Sequence, residues 1–115
     1  MNHLDEIKTE NFSFLGLNNH FRGEIELTGN VKICSTLEGT ITVTQEGQLT
    51  IEREGLIKGE LRCHDVEIMG SFEGRLESEG KVIIRSSASV TGEISAKDLA
   101  IYPGSVVNIK GFTSQ

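Results

Sequence analysis

The sequence predicts an all-β chain wound into a parallel β-helix, a solenoid of about six short rungs. Three observations carry that expectation. A five-residue phrase, apolar–x–Gly–x–apolar, occurs five times between Phe21 and Ile94. A shorter phrase, apolar–x–apolar, falls between its copies and also occurs five times. Both recur about every 17 residues, below the roughly 20 of a leucine-rich repeat and the roughly 33 of paired-helix repeats. Apolar and polar residues alternate inside each phrase, which marks a strand with one buried face. Strands this short cannot bury that face alone. Wound into a coil with three short sides, each turn covers the last.

Taken in order, residues 1–11 are polar and off the pattern, and a flexible tail is expected over residues 1–13. One domain is expected over residues 14–111, opening at Phe14-Leu15-Gly16, with 112–115 left as a short tail. The five-residue phrase then runs Phe21 to Ile25, Leu37 to Ile41, Ile57 to Leu61, Phe72 to Leu76 and Val90 to Ile94. Its glycines, Gly23, Gly39, Gly59, Gly74 and Gly92, step by 16, 20, 15 and 18 residues. A corner at positive φ admits glycine without steric cost. Phosphate-cradling loops cluster their glycines at a helix start, whereas these are dispersed at the repeat period. The shorter phrase supplies Val31/Ile33, Leu49/Ile51, Val66/Ile68, Val82/Ile84 and Leu99/Ile101. In the long second rung, Thr44–Gly47 and Glu52–Gly55 are expected to bulge as loops able to carry a partner site. Gly47, Gly55 and Gly80 read as turn residues, and Tyr102-Pro103-Gly104-Ser105 as a type II turn. The repeat leaves as Val106-Val107-Asn108, with the asparagine at the positive-φ corner, or in the alternative register Ile109-Lys110-Gly111. In both terminal phrases the expected outward residue is apolar, Leu15 and Val107.

Stacking makes a test inside the sequence, because residues one period apart should stand above one another. The outward residue before each glycine reads Arg22, Glu38, Lys58, Glu73, Thr91, and the one after it Glu24, Thr40, Glu60, Arg75, Glu93. Neither column sets two like charges side by side, as in-register strands require.

The chain holds 115 residues, enough for one domain, and 34 of them are Leu, Ile, Val or Phe, sufficient for a packed core. Its net charge of −6 argues against nucleic acid or an anionic lipid surface as a broad partner. No apolar run approaches the roughly 18 residues of a membrane span. The first residues lack the cationic and apolar regions of a secretion signal, and two unpatterned cysteines make no disulfide framework, so a cytoplasmic location is expected. A β-helix leaves open backbone and core side chains at both ends. The candidate self-association residues are accordingly Phe14, Leu15, Leu17 and Phe21 at one end, and Val106, Val107, Ile109 and Phe112 at the other.

From about Phe14 to Ile109 the sequence resembles the bactofilins, small bacterial cytoskeletal proteins. The likeness rests on Phe14-Leu15-Gly16 followed by Phe21 to Ile25, on the repeated glycine phrase, and on Leu99-Ala-Ile101 leading through Gly104 to Val106. The resemblance implies a right-handed, single-stranded β-helix that polymerises through its rod ends into nonpolar filaments without nucleotide or other cofactor. It further implies a scaffold for cell-wall or shape-determining proteins at the inner face of the cytoplasmic membrane. Many relatives carry a membrane-targeting segment, and here Met1, Leu4 and Ile7 fall at helical spacing. Asp5, Glu6 and Glu10 would repel anionic headgroups, so a disordered tail is expected and membrane association is the weaker alternative.

The alternative reading is an enzyme like the left-handed β-helix acyltransferases, which rest on a histidine base beside a subunit interface. Those favour strict hexapeptides, whereas the anchors here sit at uneven offsets, and His3, His20 and His64 have no evident catalytic partner. No catalytic residue is assigned. Cys63-His64-Asp65 could suggest a metal, but alternate side chains of a strand point to opposite faces and no second ligand pair follows. No metal site is assigned.

Overall fold

The computed structural model describes residues 12–15, 20–44 and 47–114, with side chains over 20–44 and 47–110. Four-residue strands alternate with strands of eight or nine. The first half comprises β1 (Phe12–Leu15), β2 (His20–Thr28), β3 (Asn30–Ile33), β4 (Thr36–Thr44), β5 (Gln48–Ile51) and β6 (Leu56–Cys63). The second comprises β7 (Asp65–Ile68), β8 (Ser71–Ser78), β9 (Lys81–Ile84), β10 (Ser89–Ala96), β11 (Asp98–Ile101) and β12 (Val106–Ser114). Short strands stack in one sheet, β1-β3-β5-β7-β9-β11, and long strands in another, β2-β4-β6-β8-β10-β12. Every pairing is parallel. The result is a β-solenoid of about five turns, six strands deep in each sheet.

Both phrases of the sequence lie where their pattern places them. The shorter phrase forms the short-strand sheet, with Val31, Leu49, Val66 and Val82 in one inward column and Ile33, Ile51, Ile68 and Ile84 in the next. All eight are at most 1% exposed. The glycine phrase forms the long strands, whose apolar ends Leu37/Ile41, Ile57/Leu61, Phe72/Leu76 and Val90/Ile94 line the same core. β-Branched and γ-branched aliphatics fill this narrow interior in stacked columns, and Phe72 is the one fully buried aromatic among the described residues.

A glycine divides each of β2, β4, β6, β8 and β10 into two legs. Gly23, Gly39, Gly59, Gly74 and Gly92 pair with one another in register and take φ between +117° and +132°. A second constraint acts on the same column. A Cβ on Gly39, Gly59, Gly74 or Gly92 would lie 1.9–2.0 Å from the carbonyl oxygen of the glycine below. The corner is therefore closed to side chains by contact as well as by dihedral.

The turns continue the ladder between strands. Glu52 N–H donates to Ile33 O at 2.9 Å, Ser71 N–H to Gly55 O at 3.0 Å, and Val106 N–H to Ala88 O at 3.0 Å. Glu52–Gly55 is a tight turn closed by Gly55 N–H to Glu52 O at 2.8 Å, and a turn of equal length recurs at 85–88 and 102–105. In the last of these Gly104 takes φ +100°, as the third position of a type II turn requires. Of the other expected loop, Gln45 and Glu46 lie outside the described residues.

The two ends depart from the sequence reading. Phe14-Leu15 does not open the glycine phrase. It belongs to β1, which pairs with β3 and sets Leu15 beside Ile33 and Phe14 beside Lys32. Leu15 thus holds the register of an inward column instead of the outward place expected for it. At the other end neither expected register is adopted. Val107 pairs with Val90, Asn108 with Thr91, Ile109 with Gly92 and Gly111 with Glu93. Val107 is therefore an inward anchor, half-buried against the core, and Asn108 continues the outward column. The four-residue turn 102–105 sets this phase by docking Val106 over Ser89. Among the described residues strand pairing spans Phe12 to Ser114.

Candidate assembly surface

Polar columns cover the flanks of the solenoid. Register places Arg22, Glu38, Lys58, Glu73, Thr91 in one line and Glu24, Thr40, Glu60, Arg75, Glu93 in another, as the alternating signs require. Arg22 lies 3.7 Å from Glu38, and Arg75 lies 4.0 Å from Glu60 and 3.4 Å from Glu93. A third line pairs Arg62 with Glu77 at 3.3 Å. Each such exposed pair contributes about 0–1 kcal/mol, so the ladders act chiefly on register.

One interaction line turns toward the C-terminal end. Arg85 Nε donates to Glu67 Oε2 at 2.5 Å, and the guanidinium covers the Tyr102 ring at 4.7 Å from its centroid. Three successive coils are thereby tied together, from Glu67 on β7 to the turns at Arg85 and Tyr102, and the final member leaves an aromatic side chain 44% exposed on the last turn.

The groups that sequence reading weighed as chemistry have structural work. His20 Nε2 is 2.6 Å from Glu38 Oε2, and His64 Nε2 is 3.4 Å from Glu79 Oε1, so each imidazole joins two neighbouring rungs. Asp65 Oδ1 accepts from Lys81 N–H at 2.9 Å. Cys63 points inward, 5% exposed, and its thiol is pushed up to about 12, by burial first and by Asp65 second. Beside it Ser78, fully buried, donates to His64 O and accepts from Gly80 N–H at 3.1 Å. The residues Cys63, His64 and Asp65 thus face different neighbours.

The ends are of another character. Among the described residues, β1 and β2 each pair on one edge only, and so do β11 and β12. Within that set the outer edge of a strand carries backbone donors and acceptors that no described strand covers. The large apolar side chains exposed among the described residues are Ile101 at 48%, Tyr102 at 44% and Val106 at 66%, all on the last turn. Leu99, Val107 and Ile109 stand half-buried on the same turn, and Phe21 does so on the first long strand.

Of the residues expected at the interface, Phe21, Val106, Val107 and Ile109 lie on β2 and β12, the outermost long strands. Phe14 and Leu15 lie on β1, and Phe112 pairs with Ile94 in the register of β12. The side chains of these three, and the whole of Leu17, lie outside the described residues. Sequence reading missed Leu99, Ile101 and Tyr102. A signal for them existed: Leu99/Ile101 is the last of the five apolar–x–apolar phrases that recur at the repeat period, and so falls at the edge of the stack.

A family model described as Bactofilin, polymer-forming cytoskeletal, matches residues 13–111. The chain belongs to the bactofilin family. No curated protein and no solved structure matches it. Bactofilins are a structural, cytoskeletal family and not a family of enzymes, and the family's polymer-forming character supports self-association of this bactofilin. No helix among its described residues is long and apolar enough to cross a membrane.

Proposed function

We propose that this bactofilin is a bacterial cytoskeletal scaffold that self-assembles end to end into nonpolar filaments without nucleotide, and supports cell shape or cell-wall machinery from the cytoplasm. One observation carries the reading. Among the described residues, the exposed large apolar side chains, Ile101, Tyr102 and Val106, gather on the last turn on the two outermost strands and the turn between them, while the flanks carry paired charge. Covering those side chains stabilises a junction by on the order of 1 kcal/mol apiece. Pairing the free edges adds hydrogen bonds of the kind that already join every turn to the next. The assembly energy on this reading is contact energy, and hydrolysis of a nucleotide has no part in it.

Sedimentation in plain buffer tests the proposal, with negative-stain micrographs of the pellet. Filaments are expected at the same protein concentration with and without ATP or GTP. A monomer that persists at high concentration, or assembly only with nucleotide, would overturn it.

A further inference from the structure

Turn 102–105 has the weakest backbone closure of the three four-residue turns at this corner. Its closing bond, Ser105 N–H to Tyr102 O, spans 3.4 Å, against 2.8 Å in turn 52–55 and 3.0 Å in turn 85–88. The Ser105 hydroxyl donates to the same oxygen at 2.9 Å. Among the described residues no strand stacks beyond β11 and β12, the two strands this turn joins. Yet it places the exposed apolar side chains: Ile101 precedes it, Tyr102 opens it and Val106 follows it. Backbone bonds to Ile84 O and Ala88 O hold its two feet. The Tyr102 ring is held by the Arg85 guanidinium of the coil below, 4.7 Å from the ring centroid.

Arg85 is itself aimed by other side chains. Its Nε donates to Glu67 Oε2 at 2.5 Å, and the other oxygen, Glu67 Oε1, accepts from Gln48 Nε2 at 3.1 Å. A line of side chains, Gln48–Glu67–Arg85–Tyr102, therefore crosses four successive coils. The Glu67 side chain is 18% exposed, against 31–72% for the carboxylates of the other ion pairs described above. Solvent and salt screen this pair less than those. Resting on the end-to-end assembly proposed above, we infer that Glu67 and Arg85 are positioning residues for the contact at the last turn. They fix Tyr102 before a second copy arrives, so the junction does not bear the entropy of ordering it. Glu67 lies two strand spacings below the turn, about 9.6 Å, and acts through Arg85, not by touching the second copy. A carboxylate on the flank thereby sets the strength of a contact at the end.

Tyr102 is the one tyrosine of a chain without tryptophan, so intrinsic fluorescence reports on it alone. Glu67→Thr removes the carboxylate and keeps a strand-forming side chain, like Thr50 beside it in the column. Glu60→Thr is the control: it breaks the pair with Arg75 on the long-strand sheet. In dilute, unassembled protein, acrylamide quenching of Tyr102 is expected to rise in Glu67→Thr and to keep its natural value in Glu60→Thr. The critical concentration in sedimentation is expected to rise about three- to tenfold in Glu67→Thr and to stay unchanged in the control. Arg85→Met cuts the line at its middle and carries the same two readouts independently. Combined with Glu67→Thr it should raise the critical concentration no further, as residues acting in series require. Melting temperatures taken alongside separate a lost fold from a lost contact. Natural quenching in a folded Glu67→Thr or Arg85→Met overturns the inference. So does raised quenching with an unchanged critical concentration, and so do additive effects in the double variant; all three leave end-to-end assembly standing. Failure of the natural protein to sediment at any concentration overturns the assembly reading, and this inference with it.

Discussion

Gly23 and Gly59 stand in one column with φ of +117° and +126°, yet their surroundings differ. A Cβ on Gly23 meets nothing within 4 Å, whereas one on Gly59 meets Gly39 O at 2.0 Å. Gly23→Ala is therefore expected to cost only the dihedral penalty, about 1–2 kcal/mol. Gly59→Ala must move backbone as well, and a loss of about 4 kcal/mol or more is expected. Equal shifts of the two variants in urea denaturation would show that contact does not decide the column. Cys63 makes a separate claim. Its folded pKa of about 12 lies above the ordinary 9.0, so the unfolded chain releases the thiol proton first as pH rises. The contribution is complete below pH 9.0 and is lost as pH climbs toward about 12. Unfolding free energy should accordingly fall more steeply with alkali in the natural protein than in Cys63→Ala. Parallel slopes would refute the assignment.

Among the strands, β8 offers the sharpest comparison. Leu76 is fully buried between Leu61 and Ile94, and Glu73 is exposed between Lys58 and Thr91. Leu76→Asp places an unpaired carboxylate in the core and is expected to abolish folding. Glu73→Lys sets a lysine beside Lys58 and should cost a fraction of a kcal/mol. Comparable melting temperatures for the two variants would break the inward–outward assignment. Elements like β8 were legible from residues alone because each has a neighbour above and below, and the stack punishes any residue that breaks its column. The outermost strands obey only half of that rule. Leu15 could be misread as outward because β1 has a single described neighbour, β3, to fix its face, and Val107 because the phase of β12 comes from the turn 102–105, not from a repeated phrase. The same cause hid part of the candidate surface. Ile101 repeats the Ile33/Ile51/Ile68/Ile84 column faithfully, and its 48% exposure follows from position in the stack, not from residue type.

On the proposed end-to-end assembly, the division between charged flanks and an apolar last turn makes length the variable property and width the fixed one. Val106, 66% exposed and outward on the last strand, can be changed without entering the core. Val106→Arg is expected to keep its melting temperature while losing long filaments, because a charge then enters the C-terminal junction. Persistence of long filaments in micrographs of that variant would move the contact elsewhere. Exposed ion pairs such as Arg75–Glu93 lie on the flanks, so raising salt should leave filament length nearly unchanged if the ends carry the contact. Strong shortening by salt would instead point to the flanks.

The parallel stacking also settles how such a body bears mechanical load. Its inter-strand hydrogen bonds run along the stacking direction in both sheets. A pull on the two ends stretches every bond across a gap together, so strands cannot be peeled away one bond at a time. The chain crosses each gap as well, through the turn that leads from one coil to the next, so a covalent thread backs every layer within a subunit. Between the subunits of the proposed filament there is no thread. Tension should therefore part a filament cleanly at its junctions and return whole subunits able to rejoin.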